Sequence, residues 1–159
     1  LIFTAATKTF NIAGCHTGTT IIPNPKLRSI YDREHAAFGK TPNRFGMIMT
    51  EAAYSGGQEW LDQLMHYLEK NKSLFTNAMK SLNNVKVFDL ESTYLAWVDF
   101  SQLDITELKL KDMLIKEAGV APSFGSGFGK NSGKFARFNI ACRTEILDLA
   151  VNRLTKTFF

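Results

Sequence analysis

A lysine stands among small, hydroxylated and apolar residues in the stretch FTAATKTFNIAG, which runs from Phe3 to Gly14. A primary amine attacks carbonyl groups only in its neutral form, and a free lysine side chain, with a pKa of about 10.4, is almost fully charged at neutral pH. Burial and neighbouring cations favour the neutral form. Lys8 is therefore either a solvated lysine at the end of a strand or an amine held in a pocket to react with an aldehyde.

An arginine lies between two phenylalanines in the alternating segment KFARFNIAC. Because successive residues of a strand point to opposite faces, the alternation predicts Arg137 on the face opposite Ala136 and Phe138. A guanidinium group matches a carboxylate with two parallel hydrogen bonds. Arg137 is predicted either to bind the carboxylate of a ligand or to form a salt bridge with an acidic residue of the chain.

A glycine-rich segment, SFGSGFGKNSG, precedes this strand. It lacks the ending of a phosphate-binding P-loop, and no helix follows it as in a dinucleotide-binding fingerprint. We interpret it as a flexible loop at the mouth of a site. Among the aromatic residues, Trp60, Tyr94 and Trp97 are predicted in the core, as is Met65, and Tyr94 is also a candidate for the site.

The composition is that of a globular protein: 45% of the 159 residues are hydrophobic and 21% are charged. The net charge of +4 is spread without a dense basic tract, so nucleic-acid binding has no support. No apolar run approaches the roughly 20 residues of a membrane-spanning helix. The spacing of Cys15 and Cys142 fits neither a disulfide framework nor a zinc site, and free thiols favour a cytoplasmic location. The apolar start at Leu1 is typical of the middle of a larger protein.

Periodicity and capping residues divide the chain into elements. Strands are predicted in LIFTAAT and TGTTII, and helices in NPKLRSIYDREHAAFGK, TPNRFGMIMTEAAYSGG and QEWLDQLMHYLEKNKSLFTNAMKSL. Asn24 and Pro25 begin the first helix, and Gly39 ends it. From Val85 onward the predicted order is strand (VKVFDL), strand (TYLAWVDF), helix (TELKLKDMLIKEAG), loop, strand (KFARFNIAC) and helix (TEILDLAVNRLTKTFF). This order indicates an α+β unit with helices on one face of a small antiparallel sheet, whereas residues 1–57 have an α/β pattern.

These segments together resemble a known family. ATKTFNIAG is similar to the lysine segment of the fold-type-I pyridoxal-phosphate enzymes, most closely the cystathionine β-lyase and C–S lyase branch of the class I/II aminotransferase family. IIPNPKLR, EAAYSGGQEWLDQLMHYLEKN, TYLAWVDF and GSGFGKNSGKFARFNIAC follow in the order of that family, so the resemblance covers nearly the whole chain. It implies the end of the large cofactor-binding domain in residues 1–57, a long connecting helix in residues 58–84, and the small C-terminal α+β domain in residues 85–159.

The resemblance also implies roles for individual residues. Lys8 is expected to hold pyridoxal 5′-phosphate through its amine and to move a proton at the substrate Cα. Thr7 and Asn11 are expected beside the cofactor. Arg137 is expected to bind the α-carboxylate of an amino-acid substrate, and Tyr94 is a candidate substrate contact.

The sequence departs from the family pattern at three positions. Ala5 replaces a serine that helps to hold the phosphate in many relatives, and His16 replaces a frequent arginine, so phosphate anchoring is left open. Arg143 replaces a proline, which we interpret as a change at the start of a helix. The family's partner of the pyridine nitrogen, its ring-stacking aromatic residue and its main phosphate-binding turn all precede the lysine. A chain that starts at Leu1 is therefore expected to carry half a pocket and to be inactive alone.

The sequence thus predicts the C-terminal part of a cytoplasmic, homodimeric C–S β-lyase that depends on pyridoxal phosphate and acts on cystathionine or a related sulfur amino acid. A class I/II aminotransferase is an alternative, because both reactions use Lys8 and Arg137. A non-catalytic dimerisation module is another, because LIFTAA and FGMIMTEAAY are apolar enough to form an interface. Nucleic acid, membrane and metal are not expected as partners.

Overall fold

The computed structural model describes residues 1–39 and 41–159. The chain divides into two compact units, an amino-terminal unit of Leu1–Leu64 and a carboxy-terminal unit of Met65–Phe159. The helix that begins at Gln58 and ends at Lys80 contributes residues to both units. In the part of the chain that is described, every helix is too short or too polar to cross a lipid bilayer.

Among the described residues, the amino-terminal unit contains two short antiparallel strands, a 3-10 turn at Ala13–Cys15 and three α-helical segments. Phe3 lies opposite Thr20 in the strand pair, and a connection that includes Lys8 joins the two strands. The predicted strands and helices of this unit are confirmed. Their bounds are β1 (Ile2–Thr4), β2 (Thr19–Ile21), α1 (Pro25–Ala37), α2 (Arg44–Gly56) and the beginning of α3 (Gln58–Lys80).

Asparagine side chains cap the first two helices. The Asn24 Oδ1 atom accepts hydrogen bonds from the backbone N–H groups of Lys26 and Leu27, at 2.9 and 3.1 Å. Asn43 caps α2 in the same way through Phe45, at 2.9 Å. These bonds satisfy N–H groups that have no partner within the helix. The start of α1 inferred from Asn24 and Pro25 is therefore confirmed.

The carboxy-terminal unit is built on a four-stranded antiparallel sheet in the order β3-β4-β6-β5. The predicted order of strands and helices is confirmed, with two differences: β3 is shorter than VKVFDL, and a two-residue strand, β5, forms inside the segment expected to be a loop. A π-helical turn at Met113–Glu117 continues α4. The bounds are β3 (Lys86–Val87), β4 (Leu95–Asp99), α4 (Glu107–Asp112), β5 (Ser123–Phe124), β6 (Phe135–Asn139) and α5 (Thr144–Phe158).

One face of this sheet carries the hydrophobic core. Ala96 and Val98 of β4 and Ala136 and Phe138 of β6 are buried there. They pack with apolar residues of four helical segments: Phe75 and Met79 of α3, Leu110 of α4, Leu114 of the π-helical turn, and Leu147, Val151 and Leu154 of α5. The prediction of helices on one face of a small antiparallel sheet is confirmed.

Three residues predicted in the core lie elsewhere. Trp97 is half-buried on the opposite, outer face of the sheet, because it alternates with Ala96 and Val98 along β4. Trp60 and Met65 are 47% and 56% exposed on α3. Helical periodicity identifies the apolar stripe of a helix, but the stripe is buried only where another element covers it.

Candidate functional site

Lys8 lies in the tight turn that follows β1. The backbone N–H of Phe10 donates to the carbonyl of Ala6 at 2.9 Å, and that of Ile12 donates to the carbonyl of Thr7 at 3.1 Å. Asn11 closes the turn with a left-handed backbone, at a φ of 54°. Lys8 therefore follows the end of a strand, as predicted, and its side chain is exposed. Within the amino-terminal unit its amine is accessible to a ligand.

Aromatic contacts attach this turn to the helices of the same unit. The Phe10 ring stacks on Trp60 with 6.0 Å between centroids and meets Tyr54 edge-on at 5.8 Å. Gly57, between α2 and α3, makes this approach possible, because a Cβ atom there would come within 2.6 Å of the Phe10 ring. The contacts of Phe10, two residues after Lys8, thus hold the turn against these helices. The roles expected for Thr7, which is half-buried, and Asn11, which is exposed, stay predictions.

Arg137 occupies the middle of a row across the outer face of the carboxy-terminal sheet. In the strand register, Trp97 of β4 lies on one side of Arg137 and Ser123 of β5 on the other. The Ser123 Oγ atom is 3.5 Å from a terminal guanidinium nitrogen of Arg137. The face assigned to Arg137 from the alternation is confirmed, because Ala136 and Phe138 are buried on the other side.

One aromatic ring lies against the guanidinium group, and further rings pack beside that ring. The Phe128 ring centroid is 4.6 Å from the Arg137 Cζ atom, a cation–π distance. Trp97 meets Phe128 edge-on with 5.5 Å between centroids and stacks on Phe135 at 5.6 Å. The cation of Arg137 thus contacts Phe128, which belongs to a row of packed aromatic rings.

The Nε atom of Arg137 is buried and has no hydrogen-bond partner among the residues that the structure describes. Within the same residues, no carboxylate forms an ion pair with Arg137, which contradicts the predicted alternative of an internal salt bridge. A buried donor without an acceptor is unfavourable and rare in native proteins. The arrangement can therefore bind an anion that offers an acceptor in the plane of the guanidinium group.

Tyr94 packs against the hydrophobic core, and its carbonyl accepts a hydrogen bond from the Ile140 N–H at 3.0 Å. Its role as a substrate contact stays a prediction. Sequence reasoning did not assign Trp97, Ser123 or Phe128 to the site. The alternation in TYLAWVDF carried the signal for Trp97, because it places this residue opposite Ala96 and Val98.

The glycine-rich segment is tied to α4 by charged side chains. Lys111 forms an ion pair with Glu107 at 2.6 Å, and its Nζ atom lies 3.3 Å from the Ser126 Oγ atom. Hydrogen bonds from Lys111 and Ser126 lower the pKa of the Glu107 carboxyl. Gly133 lies against this carboxylate, and a Cβ atom there would require the Glu107 side chain to shift. Within residues 1–39 and 41–159, no group of three His, Cys, Asp or Glu side chains comes together to hold a metal ion.

Comparison with known proteins identifies relatives of this chain. No family model matches the chain. The chain is 32% identical over 152 residues to the cystathionine β-lyase PatB of Bacillus subtilis, covering 94% of this chain and 39% of PatB. It is 29% identical over 98 residues to an LL-diaminopimelate aminotransferase of Protochlamydia amoebophila, covering 62% of this chain and 23% of that protein.

A solved structure gives the same result. Cystalysin of Treponema denticola, which contains pyridoxal 5′-phosphate, superposes with a TM-score of 0.86 at 29% identity, covering 98% of this chain and 40% of cystalysin. The chain thus spans about 40% of the length of the relatives that match nearly all of it. By homology and by fold, it belongs with the C-terminal part of the fold-type-I pyridoxal-phosphate enzymes, whose lyases and aminotransferases are its relatives.

Proposed function

We propose that this chain is the C-terminal part of a C–S β-lyase that depends on pyridoxal 5′-phosphate and acts on cystathionine or a related sulfur amino acid. The proposal depends most on one observation: Arg137 has a buried Nε–H donor without an acceptor among the described residues. The α-carboxylate of an amino acid supplies such an acceptor and can bind the guanidinium group through two hydrogen bonds.

The residues present fit the cofactor. Lys8 offers an exposed primary amine, the group that fold-type-I enzymes use to hold the aldehyde, and Thr7 and Asn11 are its proposed neighbours. When bound, pyridoxal phosphate supplies a carbonyl for the substrate amine and a ring that accepts electrons from Cα. In the proposed domain arrangement, residues 1–57 end the large domain, 58–84 connect, and 85–159 form the small domain.

Two residues carry the proposed chemistry. Arg137 holds the α-carboxylate and thereby fixes the orientation of the substrate Cα–H bond. Lys8, as a general base, removes the proton from Cα, and the Cβ–S bond breaks with both electrons leaving on sulfur. The released thiolate takes up a proton. With one water molecule consumed, cystathionine yields homocysteine, pyruvate and ammonia.

The test uses the complete enzyme that carries this chain. Pyruvate formed from cystathionine, without any keto-acid acceptor, supports the lyase. Amino transfer that requires a keto acid supports the alternative, a class I/II aminotransferase, which the match to an aminotransferase favours. Lys8→Ala is expected to abolish either activity, whereas Lys26→Ala, a matched change at another exposed lysine of the amino-terminal unit, is expected to leave it unchanged.

Arg137 is tested separately from Lys8. Arg137→Lys is expected to raise KM about 10- to 100-fold, because a hydrogen bond to a charged group contributes roughly 1.5–3 kcal/mol. The control is Arg143→Lys, at an exposed arginine that pairs with Glu145 at 3.3 Å. An unchanged KM in Arg137→Lys would contradict the carboxylate site.

A further candidate function is a dimerisation module, in line with the homodimer that we propose for the enzyme. The two apolar stretches singled out for an interface are exposed: Phe3 is 69% and Ile48 is 55% accessible. If association is the only function, Ile48→Glu weakens it in analytical ultracentrifugation and Lys8→Ala changes nothing measurable. We also propose a cytoplasmic location, which the free thiols of Cys15 and Cys142 support.

A further inference from the structure

We propose that Phe128, in the glycine-rich segment, is a positioning residue that holds the guanidinium plane of Arg137 ready for the substrate carboxylate. This inference rests on the proposed function, in which Arg137 binds that carboxylate. Phe128 is 52% exposed, so its ring contributes little to the core. Its ring contacts Arg137 and Trp97.

The Phe128 ring that restrains Arg137 does not compete with the carboxylate that Arg137 is proposed to bind. The Phe128 ring lies 4.6 Å from the Arg137 Cζ atom, at the distance of a cation–π contact. A phenylalanine ring carries no oxygen or nitrogen acceptor, so its contact with Arg137 leaves the guanidinium N–H donors free to bond to an oxygen. The buried Nε–H group keeps such an unused donor. The ring therefore restrains the cation without taking the hydrogen bonds that a carboxylate needs.

The ring is itself held in place. Its edge-on contact with Trp97 has an interplanar angle of 87°, and Trp97 in turn stacks on Phe135. The Phe128 N–H donates to the Gly125 carbonyl at 2.8 Å, which closes a short 3-10 turn. Gly125 is buried, and a Cβ atom there would overlap the Ser132 carbonyl. The backbone of the glycine-rich segment thus positions the Phe128 ring beside Arg137.

Three variants distinguish an aromatic contact from simple bulk. Phe128→Leu keeps apolar volume and removes the aromatic face, and Phe128→Tyr restores that face. Phe88→Leu is the matched control, because Phe88 is a half-exposed ring in the same unit that lies under another cation, the Lys86 Nζ atom, at 5.0 Å. A purely structural role for Phe128 would give Phe128→Leu and Phe88→Leu the same effects.

The first measurement needs no activity: the NMR resonance of the Arg137 Nε–H group in the 159-residue chain. An aromatic ring shifts the resonances of groups above it, so Phe128→Leu is expected to move this signal, Phe128→Tyr to restore it, and Phe88→Leu to leave it in place. A signal that does not respond to Phe128→Leu overturns the contact.

The second measurement is the kinetics of the complete enzyme. Phe128→Leu is expected to raise KM for the amino acid about three- to fivefold, the worth of one exposed cation–π contact, with kcat within about twofold. Phe128→Tyr should match the parent. An unchanged KM in Phe128→Leu overturns the positioning role even if the NMR contact is present. A complete enzyme without lyase or aminotransferase activity contradicts the proposed function instead, and the substrate role of Phe128 falls with it while the NMR contact remains.

Discussion

The two units of the chain differ in where their apolar side chains lie. In the carboxy-terminal unit, Phe75, Val98 and Phe100 are at most 1% exposed and belong to one continuous cluster. In the amino-terminal unit, the apolar residues Phe38 and Phe45 are 74% and 75% exposed. The amino-terminal unit thus exposes the residue type that the carboxy-terminal unit buries.

This difference in apolar burial indicates which unit supplies most of the stability of the fold. Removing apolar surface from water is the dominant favourable term in folding, at about 25 cal/mol per Å². The carboxy-terminal unit gains this term within its own residues. The amino-terminal unit gains little of it in this chain, because Ala6 and Ile22 are its buried apolar residues among those described. In the proposed enzyme, the remainder of the large domain and the dimer partner would cover that surface.

Phenylalanine-to-alanine substitutions give the largest expected contrast between the units. Phe100→Ala empties a fully buried position and is expected to lower the free energy of unfolding by about 3–5 kcal/mol. Phe45→Ala removes an exposed ring and is expected to change it by less than about 0.5 kcal/mol. Urea unfolding followed by circular dichroism measures both. Equal losses would show that the amino-terminal unit has a core of its own.

Two asparagines provide the second contrast. Asn71 is fully buried, and its side-chain amide donates to the carbonyls of Ile140 and Cys142, each at 2.9 Å. Asn71→Ala leaves the buried Ile140 carbonyl without this donor, whereas the Cys142 carbonyl keeps the Tyr67 hydroxyl at 3.4 Å. The loss is expected to cost about 2 kcal/mol. Asn43→Ala removes only an exposed helix cap and is expected to cost about 1 kcal/mol. The same denaturation experiment tests the order, and a reversed order would contradict the assigned roles.

The pH dependence of stability tests the polar contacts of Glu107 in the carboxy-terminal unit. The pKa of Glu107 is lowered in the folded carboxy-terminal unit by Lys111 and Ser126, so ionised Glu107 stabilises the fold above its unfolded pKa. That contribution is lost as the pH falls through the folded pKa. Parent and Glu107→Gln chains should thus differ in stability at neutral pH and converge once the pH has fallen below the folded pKa. In a Lys111→Met background the difference at neutral pH should shrink, and a difference that persists there would point to another partner.

The smallest expected effect concerns the reactivity of the thiol groups. Each unit holds one cysteine, Cys15 in the amino-terminal unit and Cys142 in the carboxy-terminal unit. Burial raises the pKa of the Cys142 thiol. Alkylation of Cys142 by iodoacetamide, measured by mass spectrometry in a Cys15→Ser chain, should reach half its maximal rate above about pH 8.5, the pH at which a free thiol is half ionised. A rate that levels off near that pH would contradict the burial of this side chain.

Most of the secondary structure could be predicted because its signals are local. Asn24 and Pro25 fix the start of α1 through the backbone groups next to them, and Gly119 follows the helical segment with a φ of 66° that favours glycine. The face of Arg137 follows from the alternation along β6 alone. Such features require no knowledge of which elements become neighbours.

What could not be predicted depends on neighbours. Trp60 and Trp97 lie on apolar stripes, but whether a stripe is covered is decided by distant segments of the chain. The strand β5 has two residues and therefore no period to detect, so Ser123 was not associated with Arg137. The approach of Phe128 to Arg137 depends on the path of a glycine-rich backbone, which composition does not specify.

The buried amide of Asn71 has a consequence for the fidelity of folding. Besides the two carbonyls that it contacts after β6, its Oδ1 atom accepts a hydrogen bond from the Thr144 Oγ1 atom at 2.8 Å, at the first residue of α5. A strand displaced by two residues keeps the same face toward the core, so a hydrocarbon side chain would still pack against apolar residues, whereas the amide would lose the partners that it contacts here. One polar side chain thus discriminates against a misaligned sheet that hydrophobic packing alone would tolerate.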